Sequence, residues 1–174
     1  MEALVLIANG SEEMETVITI DVLRRAGITT TVLSLNEEIV LCSRGVKLVA
    51  DTTTIPSKVY DCIILPSGLE GAKTFASDKR VGELLKRHLN KLICVICASP
   101  IALEAHQIHI NSKITCHFSV KDQLKSYTYV DDRVVCDKMI TSQGPGTALE
   151  FALAIVEKLL GVEKSREISK PMMI

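Results

Sequence analysis

The residue best placed to do chemistry is Cys97. It follows the apolar run Leu92-Ile93-Cys94-Val95-Ile96 and precedes Ala98-Ser99-Pro100 and then Ile101-Ala102-Leu103-Glu104-Ala105, a good helix former. A strand that turns into a helix through a cysteine, with small residues after it, is the layout of a nucleophile elbow, which lifts the side chain clear of the sheet. Pro100 suits a first helical turn, where no amide donor is needed. At the positive end of a helix dipole the thiolate is favoured, so this placement is expected to lower the pKa of Cys97 and activate it. The competing reading is an inert core thiol, since free cysteine is among the most buried residue types. Cys62 and Cys94, inside apolar runs, are read that way. Cys94 and Cys97 also have the C-x-x-C spacing of dithiol motifs. On a strand, however, residues three apart face opposite sides with Cα atoms ~10 Å apart, beyond the about 7 Å that a disulfide spans.

The other titratable candidates are more ambiguous. Glu12, Glu13 and Glu15 read equally well as carboxylates at a helix start, where the dipole favours them. His117 is a polar histidine at a strand end. His106 and His109 lie three apart without a third ligand, a poor metal site. His88 reads as part of a solvated helix face. There is no phosphate-binding glycine motif and no metal-ligand cluster, so no cofactor is expected.

These residues need a frame. Strands are predicted over Ala3–Ala8, Thr29–Leu35, Asp61–Pro66, Leu92–Ile96 and Lys138–Ser142, and helices over Glu13–Ala26, Val81–Leu89, Pro100–His106 and Thr147–Leu160. Such alternation argues for an α/β fold around a largely parallel sheet. Val40–Asp51, with Arg44-Gly45 at its middle, reads as a hairpin at the sheet edge. Tyr127–Asp137 reads as a second hairpin, turned at Asp131-Asp132. Ligands of open α/β sheets sit beyond the carboxyl ends of the strands. That directs attention to Asn9–Glu15, Ser67–Gly71, Cys97–Pro100, the segment after Thr115, and Gly144–Gly146.

The chain has 174 residues with formal net charge -1, hydrophobic residues at 47% and charged residues at 24%. One domain over residues 1–174 is expected, and a chain of this size buries about 70% of its unfolded surface without metal or disulfides. A near-neutral charge argues against nucleic acid as the main partner. The first apolar run is too short to span a membrane and lacks the flanks of a signal peptide. No membrane association and a cytoplasmic location are therefore expected, with the six cysteines as thiols.

Four segments together carry a family resemblance: Gly10-Ser11-Glu12-Glu13-Met14-Glu15-Thr16-Val17, Leu65-Pro66-Ser67-Gly68, Cys97-Ala98-Ser99-Pro100, and Gly144-Pro145-Gly146-Thr147 followed by Glu150–Glu157. In order and spacing the chain resembles the Parkinsonism-associated deglycase branch of the ThiJ/PfpI superfamily over nearly its whole length. The resemblance implies a flavodoxin-like three-layer sandwich, a homodimer, and a reactive cysteine paired with a protonated glutamate. By motif position that glutamate is Glu15, and a carboxyl held beside Cys97 in a partly dry pocket should have a raised pKa. His117 matches the active-site histidine, and Gly68 and Ala98 supply the backbone donors of an oxyanion site, with Ser67, Arg44 and Pro145 around the substrate. Arg25 and Arg44 match basic positions near the site and the dimer contact.

The sequence also departs from the family's pattern. Ser67-Gly68 stands where Gly-Gly is usual, Ser99 replaces a glycine, Gln143 an arginine, Phe118 a proline, and Val49 a cysteine near the dimer contact. Two functions fit. One is a cofactor-free glyoxalase or deglycase acting on methylglyoxal, glyoxal or their early adducts. The other is a redox sensor or chaperone switched by oxidation of Cys97 to a sulfinate. A peptidase is disfavoured, because the proteolytic branch places histidine directly after the elbow cysteine, where this chain has Ala98. The first helix, with Thr16, Val17 and Ile20, offers a dimer surface, although those residues fit the protein's own sheet equally well. The apolar tail Lys170–Ile174 is expected to pack down over the pocket mouth.

Overall fold

The computed structural model describes residues 1–174. Apolar, β-branched runs shielded on both faces make parallel strands covered by helices on each side. The first is β1 (Glu2–Ile7), whose residues from Ala3 to Ile7 are fully buried. It leads into α1 (Glu13–Arg25), β2 (Thr29–Ser34), a small hairpin β3 (Ile39–Leu41) and β4 (Lys47–Val49), and β5 (Cys62–Leu65). Then come α2 (Leu69–Ser77), α3 (Lys79–Arg87), β6 (Leu92–Ile96), α4 (Pro100–His106), β7 (Lys113–Ile114), β8 (Thr128–Tyr129), β9 (Val134–Cys136), β10 (Ile140–Ser142), α5 (Ala148–Leu160) and α6 (Val162–Ser169).

The main sheet has the order β2-β1-β5-β6-β10-β9, parallel throughout except for β9 at one edge. On one face α1 packs against α5, and on the other α2 packs against α4. This is the expected three-layer α/β sandwich. A single cluster of 47 buried residues runs through all its layers, so sheet and helices share one core. No helix is long and apolar enough to cross a membrane.

Several elements differ from the expectation. The β3–β4 hairpin is turned at Arg44-Gly45 and forms a sheet of its own, tied to the β2 edge where Asp51 N donates to Val32 O and Ser34 N to Thr52 O, both at 2.9 Å. No hairpin is turned at Asp131-Asp132. Instead β8 pairs in parallel with β7, while β9 pairs antiparallel with β10. The Asp137 carboxylate accepts from Lys113 N, which holds the true turn at Asp137–Met139. His88 is fully buried rather than solvated: its Nδ1–H donates to Leu84 O at 2.7 Å and its Nε2 accepts from Tyr60 N at 3.0 Å. The tail does not reach the Cys97 loops. It makes a 3-10 turn beyond α6, and Met173 is left 92% exposed.

β1 and β5 are neighbours, but the chain leaves β1 for β2 on its other side. That makes the β1/β5 border the topological switch point, where open α/β folds place their ligands. The loops after β1 and β5 are stitched there by Glu12 N donating to Ser67 O at 2.8 Å.

Candidate active site

Cys97 sits at the carboxyl end of β6 with φ 63°, the left-handed region that a side chain ordinarily avoids. Such a conformation costs on the order of 1–3 kcal/mol, so its surroundings must hold it. Four hydrogen bonds do so: Cys97 N to Ser142 O (2.9 Å), His117 N to Cys97 O (2.8 Å), Ser99 N to Ile96 O (3.1 Å) and Ala98 N to Ser67 Oγ (2.9 Å). Ser99 Oγ also donates to Pro66 O, fastening the elbow to the loop after β5. The result is a thiol only 9% exposed, reachable by a small molecule and otherwise dry. Cys94 faces the other way, its sulfur 3.6 Å from that of Cys62, so the C-x-x-C spacing brings no second thiol to Cys97.

Glu15 enters from the first turn of α1, whose N-terminus is capped by the Glu12 side chain accepting from Glu15 N at 2.7 Å. The Glu15 carboxyl is fully buried, and Oε2 accepts from Ser67 N at 2.8 Å. Burial pushes its pKa up to about 7, against the pull of that amide and of the Cys97 thiol. The other oxygen, Oε1, is buried without a hydrogen bond of good geometry. A carboxyl in this state can hold a proton at neutral pH and release it without leaving its pocket.

The thiol itself corrects the expectation of a depressed pKa. Burial first, then the charge and hydrogen bond of Glu15, push Cys97 up to about 12. The short α4, seven residues long, does not offset the loss of water. The two groups are coupled. When the proton passes from sulfur to Glu15, the negative charge that disfavours the thiolate disappears with it. Such a transfer leaves a thiolate beside a neutral carboxyl.

His117 meets this pair from the loop after β7. Ser119 N donates to its Nδ1, so Nε2 carries the proton of the neutral ring. A Cβ built on Gly144 would lie 3.7 Å from His117 Cδ2 and 3.9 Å from Cys97 Sγ, so the two side chains converge on the bare backbone of Gly144. Pro145 follows, lining with Gly144, His117, Cys116 and Tyr129 a cleft of roughly 380 Å³ beside the thiol. The Phe118 ring, 80% exposed, lies against His117 with centroids 4.2 Å apart.

The expected backbone donors fare differently. Gly68 N–H donates to no group of the protein. Gly68 is required for another reason as well: with φ +82° its missing Cβ would fall 1.9 Å from Gly10 O, so only glycine lets the two loops close. Ala98 N–H is already taken by Ser67 Oγ, which corrects the picture of a free second amide. Arg44 is not brought to Cys97. Its backbone N donates to Glu13 Oε1, and its side chain borders a neighbouring cleft of roughly 700 Å³ with Asn9, Gly10, Leu69 and Glu70. His106 Nε2 donates to Phe75 O, away from His109.

Comparison with known proteins agrees with this architecture. The DJ-1/PfpI family model matches residues 1–158. Protein dj-1beta of Drosophila melanogaster is 44% identical over 180 residues, spanning 99% of this chain and 96% of that protein. Glutathione-independent glyoxalase DJR-1.2 of Caenorhabditis elegans is 42% identical over 178 residues, spanning 98% and 95%. The crystal structure of Drosophila melanogaster DJ-1beta superposes with TM-score 0.96 at 45% identity, covering 99% of this chain and 97% of that one. The chain belongs to the DJ-1/PfpI family.

Proposed function

We propose that this DJ-1/PfpI family member is a cysteine-dependent, cofactor-free glyoxalase and deglycase, turning methylglyoxal, glyoxal or their early adducts into 2-hydroxy acids. The observation that carries the reading is the coupled pair of a strained, nearly dry Cys97 and a fully buried Glu15 whose pKa stands at about 7. A relative 42% identical over nearly the whole chain is named a glutathione-independent glyoxalase.

Cys97 Sγ adds to the aldehyde carbon, the carbonyl electron pair moves onto oxygen, and the thiol proton passes to Glu15. The new oxyanion rests against the loop Ser67-Gly68, where Gly68 N–H is unspent. Glu15 passes the thiol proton to the neighbouring ketone oxygen as the freed carboxylate, with His117, takes the proton from the former aldehyde carbon to give an enediol; returning that proton to the adjacent carbon leaves a 2-hydroxy thioester on sulfur. Water cleaves the thioester and Cys97 regains its proton. One water is consumed and there is no net oxidation. An early adduct follows the same course with its amine or thiol as leaving group. Pro145, in the cleft beside the thiol, contacts the larger adducts, and Arg44 lines the neighbouring cleft away from Cys97.

We read residues 1–174 as one domain of a cytoplasmic homodimer. Thr16 faces inward, but Val17 (47% exposed), Leu41 (52%) and Val49 (65%) stand clear of the core. With Ile20 and Leu48, Val17 and Val49 line a groove between α1 and the hairpin that a second copy would cover.

The test is a quenched reaction with methylglyoxal, followed by peptide mass mapping and product analysis. The reading requires lactate in many-fold excess over enzyme, with a methylglyoxal-derived mass on the Cys97 peptide. Lactate no higher than the Cys97→Ser background overturns it.

A further inference from the structure

Ser67 is fully buried and has three polar groups, two of them visibly engaged: N–H donates to Glu15 Oε2 at 2.8 Å and the carbonyl accepts from Glu12 N at 2.8 Å. The third, Oγ, accepts the Ala98 N–H at 2.9 Å. The hydroxyl therefore still has its own proton to give. It gives it to no oxygen or nitrogen of the protein, and water cannot reach it. Buried hydroxyls do not leave a donor idle without cost. Ala98 directly follows Cys97, and the amide after the nucleophile is where an elbow presents its oxyanion donor, so Ser67 Oγ occupies that donor's place.

We infer that the Ser67 hydroxyl, held by Ala98 N–H, replaces that amide as the hydrogen-bond donor to charge developing at Cys97, serving the thiolate before reaction and the hemithioacetal oxyanion during it. The Ala98 dipole polarises the O–H, so the amide acts through the hydroxyl rather than directly. The same residue fixes Glu15 through its backbone, which sets nucleophile, acid and oxyanion donor around one side chain. The nearness of Ser67 acts to lower the Cys97 thiol, against the larger effect of burial. In the reaction no bond to Ser67 forms or breaks. It donates a hydrogen bond to the oxygen that receives the carbonyl electron pair when sulfur adds, and releases it when the thioester is hydrolysed.

The inference rests on the glyoxalase reading for its oxyanion half and on Cys97 alone for its thiolate half, and two measurements separate them. For Ser67→Ala, kcat for methylglyoxal is expected to fall on the order of 10²-fold with little change in KM, the loss typical of one oxyanion donor. Both variants free the Ala98 N–H, but Ser67→Gly also removes the Cβ that Ser67→Ala leaves beside it, so the oxyanion can reach that amide directly and activity is expected to recover to within about tenfold of the parent. A Ser67→Ala enzyme with parental kcat, or a Ser67→Gly enzyme as impaired as Ser67→Ala, overturns the oxyanion role. Independently, alkylation of Cys97 by iodoacetamide at pH 8 should be slower in Ser67→Ala, whether or not methylglyoxal turns over. An unchanged rate in folded protein overturns the thiolate role. No turnover by the parent, alongside slowed alkylation, would fault the glyoxalase reading and leave Ser67 as the donor to sulfur.

Discussion

Replacing Glu15 by glutamine should make the protein more stable above neutral pH while removing its catalysis. The Glu15 carboxyl has an ordinary value of 4.5 and stands at about 7 in the folded chain, raised chiefly by burial. A folded-state pKa above the unfolded one means that the native state holds a proton the unfolded chain has already lost. Relative to a neutral side chain, the native state is therefore undisturbed below about pH 4 and progressively penalised as pH rises through 7. At 1.36 kcal/mol per pKa unit the penalty approaches about 3 kcal/mol at pH 8. Glutamine can still accept the Ser67 N–H through its amide oxygen, so it keeps the local hydrogen bond and removes the charge. Urea denaturation of parent and Glu15→Gln at pH 4.5 and pH 8 reads the difference directly. The variant should gain roughly 2–3 kcal/mol on the parent between the two pH values. Because the carboxylate also holds the Cys97 thiol up, second to burial, iodoacetamide should alkylate Cys97 faster at pH 8 in the variant. Equal stability curves with no pH-dependent gap would show that Glu15 ionises as an ordinary carboxylate, and the account of a shared proton would fail.

The remaining predictions concern single contacts. Gly68→Ala puts a Cβ 1.9 Å from Gly10 O at a left-handed φ, so a loss of more than about 4 kcal/mol in denaturant titrations is expected, or insoluble protein. His88→Leu strands Tyr60 N–H and Leu84 O in the core and should cost about 2–4 kcal/mol by the same assay. The His88 ring is held below its ordinary pKa, chiefly by burial, so it resists protonation when folded; the cost of His88→Leu should shrink as pH falls below about 6.5. Val49→Asp, at a side chain 65% exposed beside the α1 groove, should leave the fold intact while abolishing dimers in sedimentation velocity; a dimer unchanged by it would move the interface elsewhere.

What the sequence made legible was local. The apolar runs of β1 and β6 announce buried parallel strands, because nothing but helices on both faces explains so few polar residues. Small residues and a proline after Cys97 mark the elbow, and α4 begins at Pro100 as expected. Glu15 could not be told from Glu12 and Glu13 by helix-start chemistry. Only the family spacing singled it out, and the fold explains why: Glu12 turns back to cap the helix and Glu13 turns out to Ser43 and Arg44, leaving Glu15 facing the thiol. α2 escaped notice because Leu69–Ser77 is short and carries Gly71 in its first turn, where Ser11 packs too closely for a side chain to fit easily. His88 was misread because its burial depends on Tyr60, which comes from the segment before another strand. The bond from Ala98 to Ser67 was likewise invisible, since it spans two loops brought together only by the β5–β6 register.

The most direct test of the central claim is steady-state formation of lactate from methylglyoxal, with its chirality determined, by the parent, Cys97→Ser and Glu15→Gln. Repeated turnover of the parent to one enantiomer is predicted, with loss of about 10³-fold or more in both variants while their circular dichroism stays native. Full activity in Glu15→Gln would contradict the proton shuttle. Racemic lactate at the rate of the Cys97→Ser background would contradict the enzyme itself.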